Sequence, residues 1–409
     1  MTNIAIVGVT LSGNMGGQAM LLATLEAMRQ RCPDCQFDLI SIYPEADKKL
    51  NNIADLNIVS APAPQLVGLY LPISVILWSL IKLPLVHLIL VRIPYFQALL
   101  RAQLVIDLCG ISFVDGRGLP LLLYNMACCL PAIILGTPVV KLAQAVGPFK
   151  QTLNRRAAQF TLSRCAAVIA RGESSEKNLA DLNLSNTKML PDVTFGLQVP
   201  EAAKQKAKAI LASHNIQQKP LIVSPSRVVE RLCLKAGIDF VEEMSAVVKE
   251  VAKCGLPVVV LPHSCGKGLS KNNDVVIGQA MLDRLPQDLP VYLIDNIEDA
   301  ILLRALIGEA RLFLGCRFHS VVAALAMGIP CIVVGWSHKY AETVAPFGLT
   351  NWVFDLSAFS AKTMFTRIQA LQEQDFEIRQ QIQAALPAVA KQAALNFDVA
   401  MQVLNSGKD

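Results

Sequence analysis

Short apolar runs that end in a glycine- or proline-marked polar turn, each followed by helical periodicity, constrain this chain more than any other feature. Residues 3–9 are apolar and lead into Ser12-Gly13-Asn14-Met15-Gly16-Gly17, after which a helix is expected from about Gln18 to Arg31. The pattern recurs at 102–108 with Cys109-Gly110, at 138–143 with Gly147-Pro148, and at 166–170 with Arg171-Gly172. A second series opens at Leu221-Ile222-Val223-Ser224. It continues through 257–261, 291–294, 312–314 and 330–334, with helices predicted over 239–254, 298–308 and 319–327. Strands alternating with helices imply parallel sheets covered on both faces. The expectation is an α/β chain of two Rossmann-like domains, 1–197 and 198–359, with a helical segment over 360–409. Ligands of such sheets bind at the carboxyl ends of the strands. The turns named above are therefore expected to face one another across an interdomain cleft.

The apolar insert 66–94 breaks this pattern. It is punctuated by Pro72, Pro84 and Pro94 and contains Lys82 and His87. Its length would allow a membrane-spanning helix of about 20 residues. The internal lysine and prolines favour an interfacial hairpin, with Tyr70, Trp78 and Tyr95 suited to a headgroup zone. A buried core hairpin and a true span are the other readings. A net charge of +5 suits anionic small molecules or an anionic membrane face. No basic stripe of the kind that marks a nucleic-acid partner is present. The 11 cysteines include one C-x-x-C pair, Cys32 and Cys35, and form neither a disulfide framework nor a zinc pattern. The first residues lack a basic region and cleavage site, so a cytoplasmic protein is expected, with contact to the inner face of the plasma membrane through 66–94.

Chemistry-bearing residues concentrate in Phe313-Leu314-Gly315-Cys316-Arg317-Phe318-His319-Ser320 and, one strand later, in Gly335-Trp336-Ser337-His338-Lys339. Arg317 offers a planar fork for carboxylate or phosphate, and Lys339 adds a compact charge. His319 can move a proton near neutral pH and is placed at a helix N-terminus that favours an anion. Arg227, at the expected end of the first strand of the second domain, and His263, in Pro262-His263-Ser264, are further candidates for the cleft. Gly13, Gly16 and Gly17 do not have the spacing of a dinucleotide loop. Asp192, Asp274 and Asp295 are too dispersed for a cation site, so no metal is expected.

The segment from Phe313 to Lys339 resembles the signature of the polysaccharide pyruvyl transferases: R-x-H, a small-residue helix, G-x-P, then a strand end with Lys. SGNMGGQAML is similar to that family's G-N-x-G-D-E-A-x-L opening, with Gly17 and Gln18 where Asp and Glu are usual. QAVGPF, ARGESSEKNLADL and PDVTFGL resemble further blocks in the family's order, with Gly172 replacing an Asp. The resemblance implies a GT-B-like pair of domains and a pyruvyl group carried from phosphoenolpyruvate, a co-substrate with no added cofactor. The acceptor would be a sugar of a cell-surface polysaccharide or its lipid-linked precursor. By the same resemblance, Arg317, His319, Lys339 and Arg171 sit on the donor side, and Asn14 with Gly13 and Gly16 faces the acceptor. Asp107 and Asp115 stand in as candidates for the missing acid. A glycosyltransferase using a nucleotide sugar, or a membrane-associated scaffold that has lost catalysis, would share the fold.

Overall fold

The computed structural model describes residues 1–78, 84–265, 272–335, 338–356 and 359–406, without the side chains of residues 84, 85 and 338. Two compact units emerge. Met1–Ser12, Met20–Gly196 and Lys391–Asp409 form the first; Gly13–Ala19 and Leu197–Ala390 form the second. Each is a parallel α/β sheet with helical crossovers, a Rossmann-like fold.

In the first unit the strands are β1 (Thr2–Val7), β2 (Cys35–Ser41), β3 (Leu56–Ser60), β4 (Leu104–Asp107), β5 (Ile111–Ser112), β6 (Val139–Val146), β7 (Ala167–Ala170) and β8 (Thr187–Met189). They run in the order β3-β2-β1-β4-β6-β7-β8, with β5 beside β6. Period-two alternation splits each central strand between two cores. Ile4 and Ile6 of β1 join Leu104 and Ile106 of β4 on one face. Ala5 and Val7 join Val105 on the other. A sheet buried on both faces reads as a continuous apolar run, which is why these strands were visible in the sequence.

The second unit contains β9 (Leu221–Ser224), β10 (Val258–Val260), β11 (Val291–Leu293), β12 (Leu312–Gly315), β13 (Cys331–Gly335) and β14 (Val353–Asp355). Their order is β11-β10-β9-β12-β13-β14. The order reverses beside the first strand of each sheet, between β1 and β4 and between β9 and β12. Such switch points open a crevice at the strand ends. Several helices behind them carry side-chain caps: Ser226, Asp239, Asp299 and Ser360 each accept a bond from a first-turn N–H.

Some expectations change. The apolar stretch from Leu119 to Leu135 forms two helices, Leu119–Ala127 and Leu130–Leu135. Pro131 lacks an N–H and disfavours helical backbone before it, so the chain breaks at Cys128-Cys129. The edge strands β3, β8 and β14 escaped prediction because an edge need not be apolar throughout. Tyr95 is buried in the first unit's core, stacked on Tyr70 with centroids 4.2 Å apart, and does not reach a headgroup zone. The insert 66–94 contains a π-turn (Leu66–Tyr70) and helices Leu71–Leu77 and Pro84–Leu90. Among the described residues no helix is long and apolar enough to cross a membrane. The expectation for Lys82 lies outside the described residues.

Candidate functional site

The switch point of the second sheet gathers most of the residues singled out above. β9 ends at Ser224, and Ser226 then caps the helix Arg227–Lys235 through its hydroxyl, 3.2 Å from the N–H of Val228. β12 ends at Gly315, and Arg317 is the N-cap of the helix Phe318–Ala326. Two helix N-termini thus start beside one crevice, each presenting partial positive charge to it.

Asp274 organises this corner. Its carboxylate accepts the N–H of Arg227 at 3.0 Å and that of Ser264 at 3.1 Å. It also receives a two-pronged bond from Arg317, whose Nε lies 2.8 Å from Oδ2 and whose Nη2 bonds Oδ1. Nη2 further reaches the carbonyl of Asn272 at 3.2 Å. Nη1 has no protein partner among the described residues, and the Arg317 side chain is 19% exposed. The guanidinium is held in a fixed plane with one nitrogen left to meet a ligand. Burial pushes the Asp274 carboxyl up from its ordinary value, opposed by Arg317 and the two N–H groups. Sequence reasoning set Asp274 aside. Its position before the apolar run Val275-Val276-Ile277 marked a helix start, but no sequence signal joined it to Arg317.

His319 occupies the first turn of the helix that Arg317 caps. Its ring packs so closely on Gly16 that a Cβ there would collide with the imidazole. This explains a glycine at the start of the helix Met15–Arg31, where local structure alone does not demand one. Asn14 accepts the N–H of Gly16 at 3.0 Å and forms an isolated backbone bridge with Ser264. The segment Gly13–Ala19 thereby belongs to the second unit. Gly17 is buried; Gly13 (φ +79°) has open space around its α-carbon. Gln18 donates to the carbonyl of Glu298 at 3.1 Å and accepts the N–H of Ala300. A carboxylate could make only the second of these bonds.

His263 follows β10 and is 6% exposed. Burial first, then the neighbouring His319 and Arg317, pull its pKa down to about 3, so it is neutral at physiological pH. Ser320 is buried and donates to the carbonyl of Arg317 at 2.8 Å. Lys339 stands with Nζ 5.4 Å from the ring centroid of Phe318, the residue between Arg317 and His319. The side chain of His338 lies outside the described residues. Arg227 is not at a strand end as expected. Ser226 starts a helix one residue earlier, and the Arg227 guanidinium turns along it to Glu230, 2.7 Å away.

Arg171 belongs to the first unit. It is buried after β7, with Nη1 2.6 Å from Asp192 and Nη2 2.8 Å from the carbonyl of Gly110. Asp107 is fully buried against Lys141. Asp115 accepts bonds from the backbone of Lys150 and Gln151 and from Asn154. Both acids are therefore engaged in holding the first unit together. Among the described residues no cluster of His, Cys, Asp and Glu is arranged to hold a metal ion.

Residues 14–338 match the family model described as polysaccharide pyruvyl transferase. The chain belongs to that family. The match takes in the Gly16–His319 contact and the Arg317–Asp274 pair, both in the second unit. Along 98% of its length the transferase is 22% identical to the amylovoran biosynthesis protein AmsJ of Erwinia amylovora, 99% of which is covered. Its fold is similar to that of a UDP-N-acetylglucosamine 2-epimerase, with a TM-score of 0.60, 14% identity, and 96% and 93% of the two chains covered. It is also similar to a UGT transferase from Siraitia grosvenorii solved with UDP, with a TM-score of 0.56, 11% identity and both chains fully covered. These are GT-B-like folds, and the likeness concerns architecture alone.

Proposed function

We propose that this transferase moves the pyruvyl group of phosphoenolpyruvate onto two hydroxyls of a sugar, free in a polysaccharide repeat or carried on its lipid-linked precursor. The observation that carries the reading is the switch point of the second sheet, where Arg317, two helix N-termini and two histidines converge. A small, dense anion with a carboxylate and a phosphate matches that set of groups. Protonation of the methylene carbon leaves a cation-like centre at the neighbouring carbon. One sugar hydroxyl adds there and gives up its proton. Phosphate then departs with the C–O bonding pair, and a second hydroxyl closes the ketal and releases another proton. His319 handles the proton transfers. His263, neutral because it is buried, orients substrate oxygens by hydrogen bonding. Arg317 and Lys339 offset negative charge on carboxylate and phosphate. Arg171 and Asn14 are assigned to donor and acceptor sides by family resemblance.

The test is an assay of phosphoenolpyruvate with candidate glycans, read by phosphate release and by product mass. Phosphate release coupled to a pyruvyl mass increment is expected, and His319→Ala should lower the rate by about 10²–10³-fold. Transfer from a nucleotide sugar, with no turnover of phosphoenolpyruvate, would replace this reading with glycosyl transfer.

A further inference from the structure

Among the described residues, the insert presents an apolar face that no other part of the chain covers. Leu66, Leu71 and Leu90 are buried in the first unit's core, with Tyr70, Ile73 and Leu77 packed against it. The opposite side of the turn and helix over 66–77 exposes Gly68, Leu69, Pro72, Val75 and Ile76. Not one polar side chain interrupts that stripe. Ile76 is 69% exposed. In the helix Pro84–Leu90, Leu88 and Ile89 are exposed in the same way. Trp78, half exposed, meets the exposed Phe160 edge-to-face at 6.4 Å. Phe160 lies on the helix Thr152–Leu162, whose other exposed residues include Arg155, Arg156 and Gln159.

The segment that carries this face is poor in acid. Of the chain's 32 Asp and Glu residues, only Asp107 and Asp115 fall between Asp55 and Glu173. Asp107 is sealed against Lys141, and Asp115 is taken up by three hydrogen bonds. The cations are at the surface. Arg92 follows the second insert helix, Arg156 lies one turn before Phe160, and Arg164 rests over the Phe160 ring at 3.9 Å.

We propose that this face docks onto a lipid bilayer bearing anionic headgroups, with Leu69, Val75, Ile76 and Trp78 entering the interface and Arg92, Arg156 and Arg164 meeting the headgroups. Short helices with an apolar exposed side lie in the interface plane and do not span. A second copy of the chain is a poor occupant. A two-fold dimer through this face would set Arg92, Arg156 and Arg164 against a like-charged surface, since Asp107 and Asp115, the acids of this segment, are already engaged. Docking here would bring the transferase to an acceptor carried on lipid, but the contact itself needs no substrate.

The experiment is cosedimentation of the full chain with phosphatidylglycerol-containing vesicles and with pure phosphatidylcholine vesicles at low salt. Binding to the anionic vesicles at least tenfold tighter than to the neutral ones is expected. Arg156→Gln and Arg164→Gln should each weaken it about fivefold. Leu69→Asp with Ile76→Asp should weaken it tenfold or more, with the melting temperature showing that these exposed variants still fold. A wild-type protein that stays in the supernatant with anionic vesicles overturns the proposal. So does a concentration-dependent dimer by light scattering that the double Asp variant dissolves, since a second copy would then cover the face. Neither result bears on pyruvyl transfer, which is read separately with soluble glycans.

Discussion

Between β1 and β4, Gly8 (φ +83°) turns the chain where a Cβ would strike Cys109 and Asp107. Below it Lys141 and Asp107 pair with no exposure at all, among the thiols of Cys109, Cys128 and Cys129. Burial alone would raise the pKa of Asp107 and lower that of Lys141. Their mutual attraction wins, holding the carboxyl below and the amine well above their ordinary values. Between β9 and β12 the equivalent ion pair is Arg317–Asp274, and there the cation keeps partial exposure and one nitrogen without a partner among the described residues. One strand order therefore serves two ends. In the first sheet the crevice is closed by packing. In the second it stays polar and reachable, and that difference locates the candidate site.

The largest effect should come from breaking the closed pair. Lys141→Met leaves a buried carboxylate without its counter-ion and should cost about 3–5 kcal/mol of stability by urea denaturation. Asp107→Asn on that background should recover part of the loss. A stable Lys141→Met protein that has lost transferase activity would break the comparison, because the first crevice would then be functional. Next is Gln18→Glu, which restores the carboxylate usual in the family. It removes the donor to the Glu298 carbonyl and sets two acceptors against each other, so a loss of about 1–3 kcal/mol is expected. A gain in activity without that loss would show that the amide is dispensable.

The smallest effect sharpens the electrostatics of the open crevice. The folded pKa of His263, about 3, lies below that of an unfolded histidine near 6.5. The unfolded chain binds the extra proton first as pH falls. The contribution of neutral His263 is thus complete above pH 6.5 and lost progressively toward pH 3, at no more than about 1.4 kcal/mol per pH unit. Melting curves at pH 7.5 and 5.0 should differ less for His263→Asn than for wild type. Equal differences would place His263 in a wetter setting.

The doubly covered central strands were legible because burial on both faces leaves a continuous apolar signal, as in Ile4-Ala5-Ile6-Val7 and Leu312-Phe313-Leu314. The R-x-H motif was legible for the same reason, since it follows such a strand directly. Asp274 was not. It lies 43 positions before Arg317, and only the sheet order brings the two together. The role of Gly16 was equally hidden, because the demand for a glycine comes from His319, far along the chain. The insert read as apolar, but which of its residues face the core and which face outward depends on where Pro72 and the core residues Leu66 and Leu71 fix its rotation.

The most direct measurement of the central claim is a calorimetric titration of phosphoenolpyruvate into the wild-type transferase and into Arg317→Gln. If the open switch point of the second sheet is the donor site, wild type binds and the variant, still folded by its melting curve, binds at least tenfold more weakly. Equal affinity in the two proteins would contradict the account.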